Sequence, residues 1–349
     1  MVRIVLLNIS TNKTQLSSLG VGGSGKQKAK GSKKEKNLTV KPLRLQLEKS
    51  ATSLKETLRV GLEVSDVVPL ETQVAGHGSC NDGKAGLLKH KSGLVLKPMQ
   101  APPRGTREVK FYQHLYSSTL EDDVRMRNFA PKFFGTENVK MSNGEMNEFI
   151  VLGISHLVIY LCNSFIFLEN ITFGMSKPCL MDIKIGRITY GPDATEAKIA
   201  KESKSYPGTK YPFGFSVMGI ISHSDNGYKR LTKEFGRSLD EGSLPEVLDN
   251  YLQVNSKFAK ALAECFLVKL REVQALFLRQ KSFRVYGSSI LFSYDYDSLA
   301  SIDWKSKNPV RLNLIDFAHN FPAEGKLDEN YLFGLNNLIK LFEFFIQRQ

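Results

Sequence analysis

Residues 178–186 read Pro178-Cys179-Leu180-Met181-Asp182-Ile183-Lys184-Ile185-Gly186. The run is apolar except for one acid and one base two residues apart, which on an extended strand places both side chains on one face. Gly186 then permits a tight turn that a Cβ would obstruct. A carboxylate beside an ammonium next to such a turn can hold a polyhydroxylated, phosphorylated ligand. The same pair can also be an ordinary surface ion pair, and the tripeptide alone does not choose between them.

The surrounding chain narrows the choice. Its 349 residues suffice for one large or two modest domains with an ample core, and 42% hydrophobic with 24% charged residues is ordinary for a soluble globular protein. The net charge of +13 suits a protein that meets polyanions: phosphorylated sugars, nucleotides, nucleic acid or an acidic membrane surface. Cys80, Cys162, Cys179 and Cys265 form no Cys-x-x-Cys pair. That argues against a disulfide framework or zinc site and for a reducing compartment. The apolar run Ile4–Leu7 is too short for a signal-peptide core, so the chain reads as intracellular.

Residues 11–37 are rich in Gly, Ser, Asn and Lys and are expected to be disordered. Their cluster of Lys26, Lys28, Lys30, Lys33, Lys34 and Lys36 is either a solvated tail or a nuclear-import or polyanion-tethering element. Residues 1–68 are read as this basic tail plus a lead-in, helical around 53–62, and 69–349 as the folded domain. Gly76, Gly78, Gly83 and Gly86 flank Cys80-Asn81-Asp82-Gly83, a hairpin turn whose returning strand Gly93–Lys97 ends in Lys97. A helix predicted over 107–115 carries Glu108. A strand lysine paired with a helix glutamate is how kinases fix an ammonium against nucleotide phosphates, although the glycine loop is no Gly-x-Gly-x-x-Gly match.

Downstream, Thr195 caps a predicted helix to Lys204 that carries Lys198 and Lys201 on one face. A strand is expected from Tyr211 to Ser222. Phe258, Leu262, Phe266, Leu270, Val273 and Phe277 mark an amphipathic core helix within 256–279. Ser288–Phe292 and Val310–Ile315 read as strands, 295–309 as a loop, and 328–346 as a closing helix.

Four motifs in order, Pro102-Pro103-Arg104-Gly105, Pro-x-x-x-Asp-x-Lys-x-Gly, Ser288-Ser289-x-Leu291 and Ile315-Asp316-Phe317-Ala318-His319, resemble those of the inositol polyphosphate kinase family. The resemblance runs from about Gln73 to the C-terminus. It implies a two-lobed α+β fold like that of protein kinases, with a small antiparallel-sheet N-lobe, a hinge near Glu169 and a larger C-lobe. It implies ATP and Mg²⁺ as cofactors and inositol phosphates as partners, carried from the tris- and tetrakisphosphate to the pentakisphosphate. Trisphosphate 3-kinases and hexakisphosphate kinases share the central motif, and Met181 and Ile185 favour the pentakisphosphate-forming branch. By the same resemblance Lys97, Glu108, Glu169, Ile171, Asp182, Ser289 and Asp316 serve the nucleotide, with Asp316 on the metal. Arg104, Lys184, Lys198, Lys201 and His319 face the acceptor, and Asp182 and Lys184 are the catalytic candidates. Phosphoinositide headgroups are compatible with this chemistry. The expected setting is a monomer in nucleus and cytoplasm with no stable membrane insertion, meeting nucleic acid only through the basic tail. A reading of another class is a catalytically impaired nuclear scaffold for polyanions.

One stretch departs from the family pattern. Phe149–Phe167 is almost wholly apolar and meets the minimum length of a membrane span, but a span there would cut a kinase domain between its lobes. The wording before the hinge occurs twice, as Phe149-Ile150-Val151-Leu152 and as Phe165-Ile166-Phe167-Leu168. Removing 153–168 restores a simple Phe-Ile-Val-Leu-Glu-Asn-Ile strand. The segment's residues are those of thymine-rich codons, which reads as translated intron or a splice variant.

Overall fold

In the computed structural model the described residues are 67–74, 86–90, 93–140, 146–152, 165–225, 227–301, 303–307 and 309–349, all within one compact unit, Lys55–Gln349. The expected helix at 53–62, the turn at 80–83 and the basic tail lie outside them.

The elements in order are β1 (Val67–Pro69), β2 (Leu88–His90), β3 (Leu94–Pro98), α1 (Arg104–Ser117), α2 (Glu121–Arg127), β4 (Phe134–Lys140), β5 (Met146–Leu152), β6 (Phe165–Glu169) and β7 (Pro178–Ile185). There follow α3 (Glu196–Ser203), α4 (Lys210–Phe213), β8 (Phe215–Ser224), β9 (Gly227–Leu231), α5 (Lys233–Ser238), α6 (Glu246–Leu252) and α7 (Ala259–Phe277). The chain closes with β10 (Phe283–Val285), β11 (Ser289–Asp295), β12 (Val310–Ile315), β13 (Asn320–Pro322) and α8 (Glu329–Gln347). An antiparallel N-terminal sheet runs β1-β2-β3-β5-β4 with β6 also on β3, and a five-stranded antiparallel sheet runs β12-β11-β7-β8-β9. A two-stranded sheet pairs β10 with β13, and the whole is the α+β architecture with an antiparallel sheet lobe that the motifs imply.

The second sheet is organised around β7, whose residues Cys179 to Ile183 are all buried because β11 and β8 flank it and helices cover it. α7 buries Leu262, Phe266, Leu270, Val273 and Phe277, the predicted apolar face. It packs on α8 through Phe277 and Tyr331, whose rings stack at 3.9 Å. Phe292 of β11 stacks on Phe342 of α8 at 5.5 Å, joining sheet to helices. Truncating any of these rings to alanine would cost about 3–5 kcal/mol. The Thr195 cap is as expected, its hydroxyl accepting from Lys198 N at 3.3 Å. The strand expected from Tyr211 begins later. Lys210–Phe213 forms a helical turn closed by Gly214 in the left-handed conformation (φ 71°), and β8 starts at Phe215. The loop at 295–309 contains two short 3₁₀ turns.

The repeated wording has a structural counterpart. β6 lies on β3 with Lys97 opposite Ile166 and Pro98 opposite Phe165. β5 pairs with β4 along its full length, from Phe134 opposite Leu152 to Lys140 opposite Met146. It also meets β3, with Lys97 opposite Ile150 and Pro98 opposite Phe149. Two strands thus claim the same partners. A single strand reading Phe149-Ile150-Val151-Leu152-Glu169 would meet β4 in the register of β5 and β3 in the register of β6 without conflict. The ends of the apolar run lie on strands, and among the described residues no helix is long and apolar enough to cross a membrane. Deleting residues 153–168 should therefore raise the thermal midpoint by roughly 3 °C or more, read by circular dichroism. A lowered midpoint would show the segment to be integral to the fold.

Candidate active site

The cleft is built by strand register. β11 lies between β7 and β12, with Ser289 opposite both Lys184 and Ile315. Leu291 is opposite Asp182. Asp316, the residue after Ile315, is therefore delivered next to Ser289 and on the same side as Asp182 and Lys184. Gly186 follows with φ 108°, and a Cβ there would stand 2.5 Å from the Asn330 amide, so this turn requires glycine.

From the other sheet comes Lys97 of β3. Its ammonium donates to Glu108 Oε1 of α1 at 2.7 Å and to Asp316 Oδ1 at 2.6 Å. Glu108 is 1% exposed, Lys97 13% and Asp316 45%, so of the two acids Asp316 is the one open to a ligand. Burial works against the charge on Lys97, but the two carboxylates more than offset it and its pKa is raised. Burial likewise opposes ionisation of Asp316, yet the adjacent Lys97 ammonium holds it below the usual carboxylate range. Asp316 has φ 67°, a left-handed conformation that Asp tolerates better than most residues.

Asp182 is titrated differently. Burial, then the nearby Asp316 charge, pushes it up to about 7, against the weaker pull of Ser289 and Lys184. Neither Asp182 Oδ1 nor Ser289 Oγ reaches hydrogen-bond geometry with any partner among the described residues. These buried polar atoms facing the cleft fit a ligand rich in hydroxyl groups.

His319 sits among cations. It is held below its ordinary pKa, first by burial and then by Lys198, with Arg104 and Arg107 adding to the effect against Asp193. These three cations and one acid thus lie within electrostatic reach of His319, whose Nδ1 is buried and has no hydrogen-bond partner among the described residues. Lys201 is exposed on α3 and makes no hydrogen bond or ion pair to any described site residue. Glu169, at the end of β6, is paired with Lys132 at 3.2 Å. The Ile171 carbonyl accepts from Arg311. Buried Asn170 holds this turn, its Oδ1 accepting from Thr172 N at 3.0 Å and Thr172 Oγ1 at 2.7 Å.

Sequence reading missed Arg107 and Asp193. Arg107 donates to Asp193 Oδ2 at 2.6 Å and lies 4.2 Å over the Phe321 ring, fastening α1 to the C-lobe. The signal was present in Pro-Pro-Arg-Gly-Thr-Arg-Glu, where Arg104 and Arg107 fall three apart on one helical face.

The family model described as inositol polyphosphate kinase matches residues 165–343, half of the chain. The chain belongs to the inositol polyphosphate kinase family. It is 30% identical to the Homo sapiens inositol polyphosphate multikinase over 275 residues, covering 77% of this chain and 59% of that protein. It is 31% identical to the Schizosaccharomyces pombe multikinase, covering 79% and 97%. It thus spans about three-fifths of the length of the mammalian relatives it matches and nearly all of the fission-yeast one. The S. cerevisiae multikinase Ipk2 in complex with ADP and Mn²⁺ superposes with a TM-score of 0.55 at 21% identity, covering 72% of this chain and 99% of that one. At that identity the superposition establishes the shared inositol polyphosphate kinase fold.

Raised and lowered groups have opposite consequences for stability. In the metal-free protein Asp182 ionises near pH 7 when folded and near 3.8 when unfolded, so the folded state holds its proton more tightly. Stability from this group is full below about pH 3.8 and is lost as pH climbs to about 7. Asp182→Asn should therefore unfold at a higher temperature than the parent at pH 8 and at nearly the same temperature at pH 4. Equal midpoints at pH 8 would disprove the burial of that charge.

Proposed function

We propose that this chain is an ATP-dependent inositol phosphate kinase of the multikinase type, transferring the γ-phosphoryl group to hydroxyls of inositol tris- and tetrakisphosphates. The observation that carries this reading is the convergence of Lys97, Asp182, Lys184 and Asp316 on one cleft with a cationic wall of Arg104, Arg107 and Lys198 beside it. Family membership and the multikinase relatives support it.

Phosphoryl transfer depends on positioning and charge neutralisation more than on covalent catalysis. Lys97 would neutralise nucleotide phosphates, its orientation fixed by Glu108. Asp182 would accept from the nucleotide sugar and, ionising near neutral pH, can also hold or release a proton there. Lys184, on the same strand face, would stabilise charge developing between donor and acceptor. No group of three or more His, Cys, Asp or Glu gathers among the described residues. The protein therefore offers a metal chiefly the hard oxygens of Asp316, with Oδ2 left free by Lys97, which fits Mg²⁺ bound mainly by phosphates and water. Bound there, Mg²⁺ supplies neutralisation of the phosphate charge. The hinge segment Glu169–Ile171 would meet the adenine edge, and nuclear and cytoplasmic residence is in keeping with the basic tail.

The doubled strand beside Lys97 favours a second reading, a polyanion-binding scaffold in which the nucleotide cleft is impaired. Incubating the purified chain with Mg-ATP and inositol tris-, tetrakis- or hexakisphosphate, and separating products by anion exchange, decides between them. Turnover of the tris- and tetrakisphosphate is expected, and Asp182→Asn and Lys184→Ala should each lower it roughly 100-fold or more with the fold intact. Retained activity in either variant removes its assigned role. Turnover appearing only when 153–168 is deleted supports the scaffold reading for the chain as it stands.

A further inference from the structure

Behind the cationic wall lies a charge cluster that the kinase chemistry does not use. Lys210 is 2% exposed, one of the largest fully buried side chains of the protein. Its ammonium donates to the Glu202 carbonyl at 2.7 Å, to Ser205 Oγ at 2.8 Å and to Glu202 Oε2 at 3.3 Å. Glu202 is engaged on both oxygens, Oε1 accepting from Lys198 at 3.0 Å and Oε2 from Thr189 Oγ1 at 2.9 Å. The loop after α3 is bent to allow this. Tyr206 takes a left-handed conformation (φ 53°), and its carbonyl accepts from Lys210 N at 3.0 Å. An unpaired buried ammonium would be strongly destabilising, and the Glu202 carbonyl and Ser205 Oγ keep Lys210 hydrogen-bonded independently of the Glu202 carboxylate.

The same cluster faces the acceptor space. Lys198, whose ammonium Glu202 holds, is among the cations that depress His319. Burial and then Lys184 and Lys198 lower the pKa of Lys210, while Glu202 opposes them. Burial disfavours charge on Glu202, yet Lys198, Thr189 and Lys210 bring it down to about 2, so it is ionised throughout the physiological range. Two ammoniums, those of Lys198 and Lys210, thus share one carboxylate.

We propose that Glu202, clamped by buried Lys210, is a built-in counter-anion beside Lys198 that holds down the affinity of this end of the site for the acceptor's phosphates. The inference rests on the acceptor being an inositol phosphate. Both residues act through the electrostatic field at Lys198 and touch no reacting atom. If the pair served only to pin the loop at 204–209, losing either member would weaken binding in the same direction. A charge-setting pair behaves otherwise, because removing the anion and removing the cation have opposite signs.

The experiment measures binding of inositol tris- and hexakisphosphate by calorimetry, with steady-state KM for ATP, in the full chain. Glu202→Gln should tighten trisphosphate binding roughly five- to tenfold and hexakisphosphate binding more, as one unit charge at this range allows. Lys210→Met should weaken both by a similar factor, the double variant should return close to the parent, and KM for ATP should stay unchanged in all three. Weakening in both single variants, or a shift in KM for ATP alongside the acceptor, overturns the proposal. Where Lys210→Met does not fold, Glu202→Gln alone decides, since unchanged or weaker binding refutes it. A parent chain that binds no inositol phosphate refutes this inference together with the kinase reading, whereas a parent that binds and a Glu202→Gln variant that binds no tighter refutes this inference alone.

Discussion

One ammonium ties the two sheets together. Lys97 leaves the end of β3 and reaches both Glu108 on α1 and Asp316 at the end of β12, 219 residues further along the chain. The arrangement places a cation between a fully buried acid and a half-exposed one. Glu108 is committed to structure, also accepting from Phe317 N at 3.3 Å, and Asp316 remains available to a ligand. Because a buried ion pair contributes little net stability while its disruption is strongly destabilising, the triad is best understood as fixing geometry. It sets where the N-terminal sheet stands relative to the cleft.

The second sheet converts sequence separation into proximity. Asp182 and Asp316 are brought near one another by the register of β11 against β7 and β12, so each carboxylate feels the other and they part in proton affinity. Two neighbouring acids in unequal surroundings divide the labour: the one beside Lys97 stays charged, and the one buried beneath it keeps a proton until near neutrality. Arg107, Asp193 and Phe321 repeat the principle, with charge and ring together fastening α1 to the larger lobe.

Much of this was legible in the chain. The Asp-x-Lys spacing in β7, the helical spacing of Phe258 to Phe277, the Thr195 cap and the strand-lysine, helix-glutamate pair are local patterns, and each formed where the sequence placed it. The doubled wording at 149–152 and 165–168 was also visible, and its counterpart is a doubled register on β3. What escaped notice depends on contacts between distant segments. Asp193 read as part of a turn, because nothing nearby in sequence announces that Arg107 will meet it. Lys210 went unread just before the strand expected from Tyr211, because only a left-handed Tyr206 and a capping Gly214 bring it onto Glu202. Lys198 and Lys201 do lie three apart on one helix, with Lys198 tied to Glu202 and Lys201 exposed.

The backbone at Asp316 narrows what evolution can do there. A left-handed residue without glycine's freedom is strained for most side chains by about 1–2 kcal/mol, and Asn shares with Asp the ability to occupy it. The position is therefore filtered twice, once by conformation and once by charge. Alanine would fail the first filter before the second was ever tested. Asparagine passes the first and keeps an oxygen for Lys97 while giving up the anion, so it is the replacement that would separate the backbone demand from the electrostatic one at this site.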